Sequence, residues 1–212
     1  MKSQVRDLFL RPAAVLMLTV SAGCMAFRES NTARTPEEQI LLSKAVDFSL
    51  VGAIPAGLEG RRVFIDVSNL DCPDKAYVAD AVREALASKG GARLVEKAAE
   101  ADAVVTVRAA MLATQSGSSM IGVPTIKVPL GTNAIETPEL ALYKRTVQEG
   151  WAKLCLTAYD NDTKEFLDKR VGTARTHFDR WHILFVINYN RTNVPELKLL
   201  PAQKNDAEAE PR

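Results

Sequence analysis

The sequence predicts an α+β domain: two layers, with packed helices over a mixed β-sheet. Three observations carry that expectation. Residues 36–50 read as a capped amphipathic helix. Residues 62–68 and 150–159 alternate apolar and polar positions as half-buried strands do. The order strand, helix, strand, strand is followed by antiparallel hairpins. With 212 residues, 47% hydrophobic and 25% charged, the chain is long enough for one core and ordinary in composition.

Each element has a local reason. Thr35 can cap the first helix, Pro36 suits its first position, and Glu38 completes a capping box. Leu41, Ala45 and Phe48 recur at helical spacing beside Leu42 and Val46, so the helix is expected to dock on the domain with Phe48 inside. Residues 51–60, rich in Gly, Ala and Pro, connect it to the first strand, where Val63, Ile65 and Val67 point one way. Asp71 or Cys72 with Pro73 opens a second helix whose buried stripe is Val78, Ala81, Val82, Ala85 and Leu86, and Gly90-Gly91 ends it. A short strand at 93–96, a helical turn at 97–101 and a long strand at 103–112 follow.

Residues 114–119 read as a polar, flexible loop, and 124–130, with Pro124 and Pro129, as an edge strand. Residues 138–148 fit helix and strand equally. In 150–159, Ala152, Leu154, Leu156 and Ala158 face the core, while Trp151, Lys153, Thr157 and Tyr159 face away. Asp160-Asn161-Asp162-Thr163 turns into a partner strand at 165–177. The run WHILFVI at 181–187 lacks alternation and suggests a central strand covered on both faces.

The amino terminus carries an export pattern. Lys2, Arg6 and Arg11 form a basic region, 12–20 a short apolar one, and Ser21-Ala22-Gly23 precede Cys24. The apolar run is too short for a bilayer span, which takes about 20 residues. Two processing schemes remain open: lipidation at Cys24, or ordinary cleavage after Ala22. The first divides the chain into a signal at 1–23, a lipidated Cys24 with a tether at 24–35, a single α+β domain at 36–195, and a disordered polar tail at 196–212. An extended tether of that length reaches roughly 35–40 Å, which keeps the body near the membrane.

The signal would remove three of 27 basic and one of 26 acidic residues, leaving charges nearly balanced. That composition offers no electrostatic footprint for nucleic acid. An oxidising compartment allows a Cys72–Cys155 disulfide, and two buried thiols are the plainer alternative. There is no G-x-G-x-x-G, Walker loop, G-x-S-x-G, H-E-x-x-H or C-x-x-C. His177, Asp179 and His182 read as a wet strand end rather than a metal site, and Asp160 with Asp162 as a hairpin turn rather than a calcium loop. Cys72, near a helix start, reads as packing rather than a reactive thiol. No catalytic, cofactor-binding or metal-binding residue is assigned, and no cofactor is expected.

Two surfaces stand out as interface candidates. Between Ala109 and Ile135 the sole charge is Lys127, so Ile121, Val123, Ile126 and Val128 lie in an apolar segment without the charge that usually protects an edge strand: either another element of the domain, such as the first helix, covers it, or it is kept for a partner, a second copy or the lipid surface. Trp151 and Tyr159 face outward, to meet a partner or to be covered by the first helix.

The pattern of a strand, a helix ending RLVE, then ADAVVTV, with AKLCLTAYD and its turn NDTKEFL, resembles the periplasmic core of curli-secretion lipoproteins and of TolB amino-terminal domains. TARTPEEQILLSKAVD, IGVPTIKVPL, TPELALYK and AYD resemble an uncharacterised family of bacterial lipoproteins, over roughly residues 30–192. The resemblance implies a fold and an address but no activity. In such lipoproteins an Asp after the acylated Cys favours the inner membrane. Met25 stands there, which implies the periplasmic face of the outer membrane. No pair of long membrane-spanning hairpins is evident, which argues against a pore. The expectation is a non-catalytic, membrane-anchored envelope lipoprotein with a protein partner or self-association. The alternative is a subunit of an oligomeric, curli-like export assembly.

Overall fold

Helix α1 (Pro36–Leu50) begins as its sequence dictates. The Thr35 hydroxyl accepts from the Glu38 N–H at 3.3 Å, and Glu38 accepts from the Thr35 N–H at 3.0 Å. The structure, a computed structural model, describes residues 25–28, 34–130, 133–184 and 186–198. Helix α2 (Lys75–Ser88) is the second helix. The strands are β1 (Met25–Arg28), β2 (Arg62–Asp66), β3 (Arg93–Leu94), β4 (Ala103–Val123), β5 (Lys127–Leu130), β6 (Asn133–Glu136), β7 (Leu140–Asp160), β8 (Phe166–Ile183) and β9 (Ile187–Thr192).

The fold is α+β with a mixed sheet. Its strand order is β3-β2-β4-β7-β8-β9, with β1 also on β4, and β5-β6 form a separate two-stranded sheet. β2 runs parallel to β3 and β4, whereas β1 runs antiparallel to β4. The chain groups into two units. One holds residues 115–148 and 179–191 with the amino-terminal segment through Glu29. The other holds 30–114, 149–178 and 192–212. We call them the strand unit and the helical unit; the domain expected at 36–195 contributes to both.

In the helical unit the core is an apolar layer between helices and sheet. Ala45, Val46 and Leu50 of α1 and Val78, Val82 and Leu86 of α2 meet Val63, Val105, Ala152, Leu154, Leu156 and Ala158. α1 lies almost on the backbone beneath it. A Cβ on Gly150 would stand 2.7 Å from Leu41 O, and one on Gly172 only 1.8 Å from Ser49 O. The Thr176 hydroxyl donates to Leu41 O at 2.7 Å. A 3-10 turn at Pro195–Lys198 closes a second cluster of Leu41, Phe178, Val194 and Leu197.

Several expectations are corrected. Phe48 is 41% exposed, because the docked face of α1 runs through Leu41, Ala45, Val46 and Leu50 instead. The proposed loop at 114–119 is strand: small polar residues need only backbone partners, and Ser116–Ser119 pair with β1. That pairing also replaces part of the expected tether by strand, while 29–33 lie outside the described residues. Residues 127–130 pair with β6 in a separate two-stranded sheet, where each strand is an edge, as Pro124 and Pro129 suggested. WHILFVI is not one central strand: it ends β8, turns at Leu184 with φ of 49° and begins β9, leaving Leu184, Val186 and Ile187 exposed. The undecided segment 138–148 is strand from Leu140. Packing continues to Leu197, past the expected boundary at 195. Strands β4 and β7 each run 21 residues and β8 runs 18, lengths that the sequence did not reveal.

Candidate functional site

The outward-facing side chains of β7 form the first candidate. Both helices pack on the side of Ala152, Leu154 and Leu156, so Trp151 and Tyr159 lie on the opposite side, away from α1. Trp151 is held in place. Its indole N–H donates to Glu149 at 3.0 Å, and the Arg175 guanidinium of β8 lies 5.1 Å from its ring centroid. Arg175 also pairs with Glu149, its Nε donating at 3.1 Å. Farther along β7, Tyr159 meets Phe166 edge to face with ring centroids 6.1 Å apart. Phe166 and Val171 are exposed beside them. Alternation revealed Trp151 and Tyr159; Arg175 and Phe166 escaped because strand pairing, not local sequence, places them.

The strand unit holds the second candidate. Ile121, Val123 and Ile126 are 47%, 51% and 51% exposed. Of Val128 only the backbone, in β5, is described. Gly122, at φ of 155°, lets β4 approach Leu140 so closely that a Cβ would stand 2.1 Å from its carbonyl oxygen. The Leu184 N–H donates to Leu142 O at 2.8 Å. These contacts set Gly122 against Leu140 and Leu184 against Leu142, and Leu140, Leu142 and Leu184 are exposed, as Ile121 and Val123 are. In the same unit Arg145 pairs with buried Asp179 at 3.3 Å and lies 5.3 Å from the Trp181 ring centroid; the Tyr189 ring lies against Trp181 at 5.3 Å, tilted by 41°.

A groove of about 710 Å³ lies between the start of α1 and the approach to α2, lined by Arg34, Gln39, Ile40, Ser43 and Tyr77 among others. Its volume suits a small ligand, but its polar groups are engaged. Arg34 pairs with Asp74, and the Tyr77 hydroxyl donates to Asp47 at 2.9 Å. Burial, then that carboxylate, push the Tyr77 hydroxyl up to about 12, so it remains protonated.

The remaining residues singled out from sequence have structural partners. Cys72 and Cys155 are free thiols, not a disulfide. Burial raises the Cys72 thiol above its ordinary range, which fits packing. Asp160 accepts from the Asp162 and Thr163 N–H groups at 3.1 and 3.2 Å, forming the hairpin turn. The His177 N–H donates to Asn193 at 2.8 Å, and the His182 ring contacts Asn188. Among the described residues no group of His, Cys, Asp and Glu is placed to hold a metal, and no helix is long and apolar enough to cross a membrane. Cys24, the signal at 1–23 and the tail beyond 198 lie outside the described residues. Comparison with protein-family models, curated proteins and solved structures found no match.

Proposed function

We propose that this chain is a lipid-anchored envelope protein, tethered through Cys24 at the periplasmic face of the outer membrane, that works as a non-catalytic interaction module. The observation that carries the reading is the aromatic face of the helical unit. Trp151 is fixed between Glu149 and Arg175, and Tyr159 and Phe166 are half open to solvent. Tryptophan, tyrosine and arginine dominate the energetics of protein contacts, and holding them rigid before association lowers the entropy lost on binding. The address rests on the basic, apolar and small-residue pattern ending at Cys24.

The test is a photo-crosslinking amino acid at Tyr159 in intact cells. A discrete adduct is expected, lost in Trp151→Ala with Arg175→Ala while the melting temperature changes little. A face that yields no adduct refutes the module. An N-terminal peptide without acyl mass on Cys24 refutes the anchor.

One observation favours the second reading, an oligomeric curli-like export subunit: β4, β7 and β8 are each longer than the roughly 9–11 residues a membrane-crossing strand needs. A ring-sized particle in mild detergent would support it, and a monomer would exclude it.

A further inference from the structure

We infer that the exposed apolar end of the strand unit rests on the lipid surface in which Cys24 is anchored, as a second membrane contact beside the acyl chains. The inference rests on the reading of Cys24 as the lipidated residue. Its structural basis is the register of β1. Met25 stands opposite Ser119 and Arg28 opposite Ser116, so β1 runs antiparallel with its first residue toward the higher numbers of β4. Cys24 is one peptide bond from Met25. On that reading the lipid is joined one residue before the strand that pairs with Ser119. At about 3.3 Å per residue, Ile121 lies only about 7 Å farther along β4 and Val123 about 13 Å.

That direction is also where polar surface runs out. Ile121, Val123, Leu140, Leu142 and Leu184 are all exposed there, and Val186 is 79% exposed. No residue of 109–126, 140–143 or 183–190 is charged. The nearby ions are neutralised in pairs, Lys144 by Glu139 at 2.8 Å and Arg145 by Asp179. Trp181 and Tyr189, in contact and backed by Arg145, have the character of residues that settle at the headgroup level. An interfacial element buries its apolar face roughly 5–10 Å into the headgroup and acyl boundary, a range that takes in the about 7 Å from Ser119 to Ile121. A lipid surface fits better than a protein partner because the anchor delivers one to this very place.

The test uses the full processed lipoprotein in vesicles of phosphatidylethanolamine and phosphatidylglycerol. Trp151→Phe leaves Trp181 as the sole tryptophan, and Trp181→Phe leaves Trp151. Phospholipids brominated near the top of the acyl chain should quench and blue-shift Trp181 but not Trp151. Adding Ile121→Asp and Val123→Asp to the first variant should abolish the quenching without changing its melting temperature, since both side chains are exposed. Equal quenching of the two tryptophans overturns the inference. So does stronger quenching by bromines near the bilayer centre, which would mean strands that cross. So does protection of Trp181 in a crosslinked dimer, which would assign the apolar end to a second copy. A chain that floats with the vesicles while Trp181 is unquenched refutes the seat and leaves the anchor standing. A chain without acyl mass on Cys24 that does not float refutes both.

Discussion

Substituting Gly172 with alanine should strike the closest approach in the helical unit. The new Cβ would stand 1.8 Å from Ser49 O, against the 3.4 Å at which contacts become ordinary, so the end of α1 must retreat by about 1.6 Å. The obstacle is a backbone carbonyl and cannot rotate aside. Its neighbours Val46, Leu50 and Ala53 are buried, so retreat opens the apolar layer they fill. Overpacking costs about 1–3 kcal/mol, and a backbone clash belongs at the upper end. For a chain of this size each kcal/mol shifts Tm by roughly 2–4 °C, so a fall of about 6–12 °C is expected. Thermal melting followed by circular dichroism reads it directly. Gly52→Ala, where a Cβ meets nothing within 4 Å, is the control and should melt with the parent. If Gly172→Ala also melts within about 2 °C of the parent, α1 does not sit on β8 as described.

Other outcomes follow from the same contacts. Leu41→Ala, at a fully buried position, should cost about 2–5 kcal/mol, whereas Phe48→Ala should cost well under that in the same denaturation series. The Arg62 side chain, then its backbone N–H, hold the Asp102 carboxyl down to about 2. Because the folded value lies below the unfolded one, near 3.9, its stabilisation is present above pH 4 and fades as pH falls toward 2. Asp102→Asn should therefore have a lower urea midpoint than the parent at neutral pH, a difference that vanishes near pH 2. Unfolding without reductant should release both Cys72 and Cys155 to a thiol reagent; a missing pair of thiols would restore the disulfide.

Local chemistry made much of the helical unit legible. Thr35, Pro36 and Glu38 announced α1, and the alternation of Ala152, Leu154, Leu156 and Ala158 announced which side of β7 the helices cover, though Cys155 and Thr157 on the other side are buried as well. The strand unit was harder because its backbone is ordered by pairing rather than by side chains. Gln115 to Ser119 look like a loop until β1 pairs with them. Leu140 to Gln148 show no decisive period because both faces are half covered. WHILFVI misled because absence of alternation marks a strand reversal as well as a buried strand. Of the candidate surfaces, the outward aim of Trp151 and Tyr159 was readable from period two; missing charge singled out Ile121 and Val123 but did not decide between a covered and an exposed segment. Arg175, Arg145 and Leu184 come from other strands and could be joined to these surfaces only by the fold.

The pairing of β1 with β4 also sets an order of events. Met25 meets Ser119 across a long stretch of intervening chain, and closing a large loop costs entropy that only later contacts repay. During synthesis β1 therefore cannot make this pairing until β4 has emerged. On the proposed lipidation at Cys24, a variant that hastened β1 pairing would compete with processing.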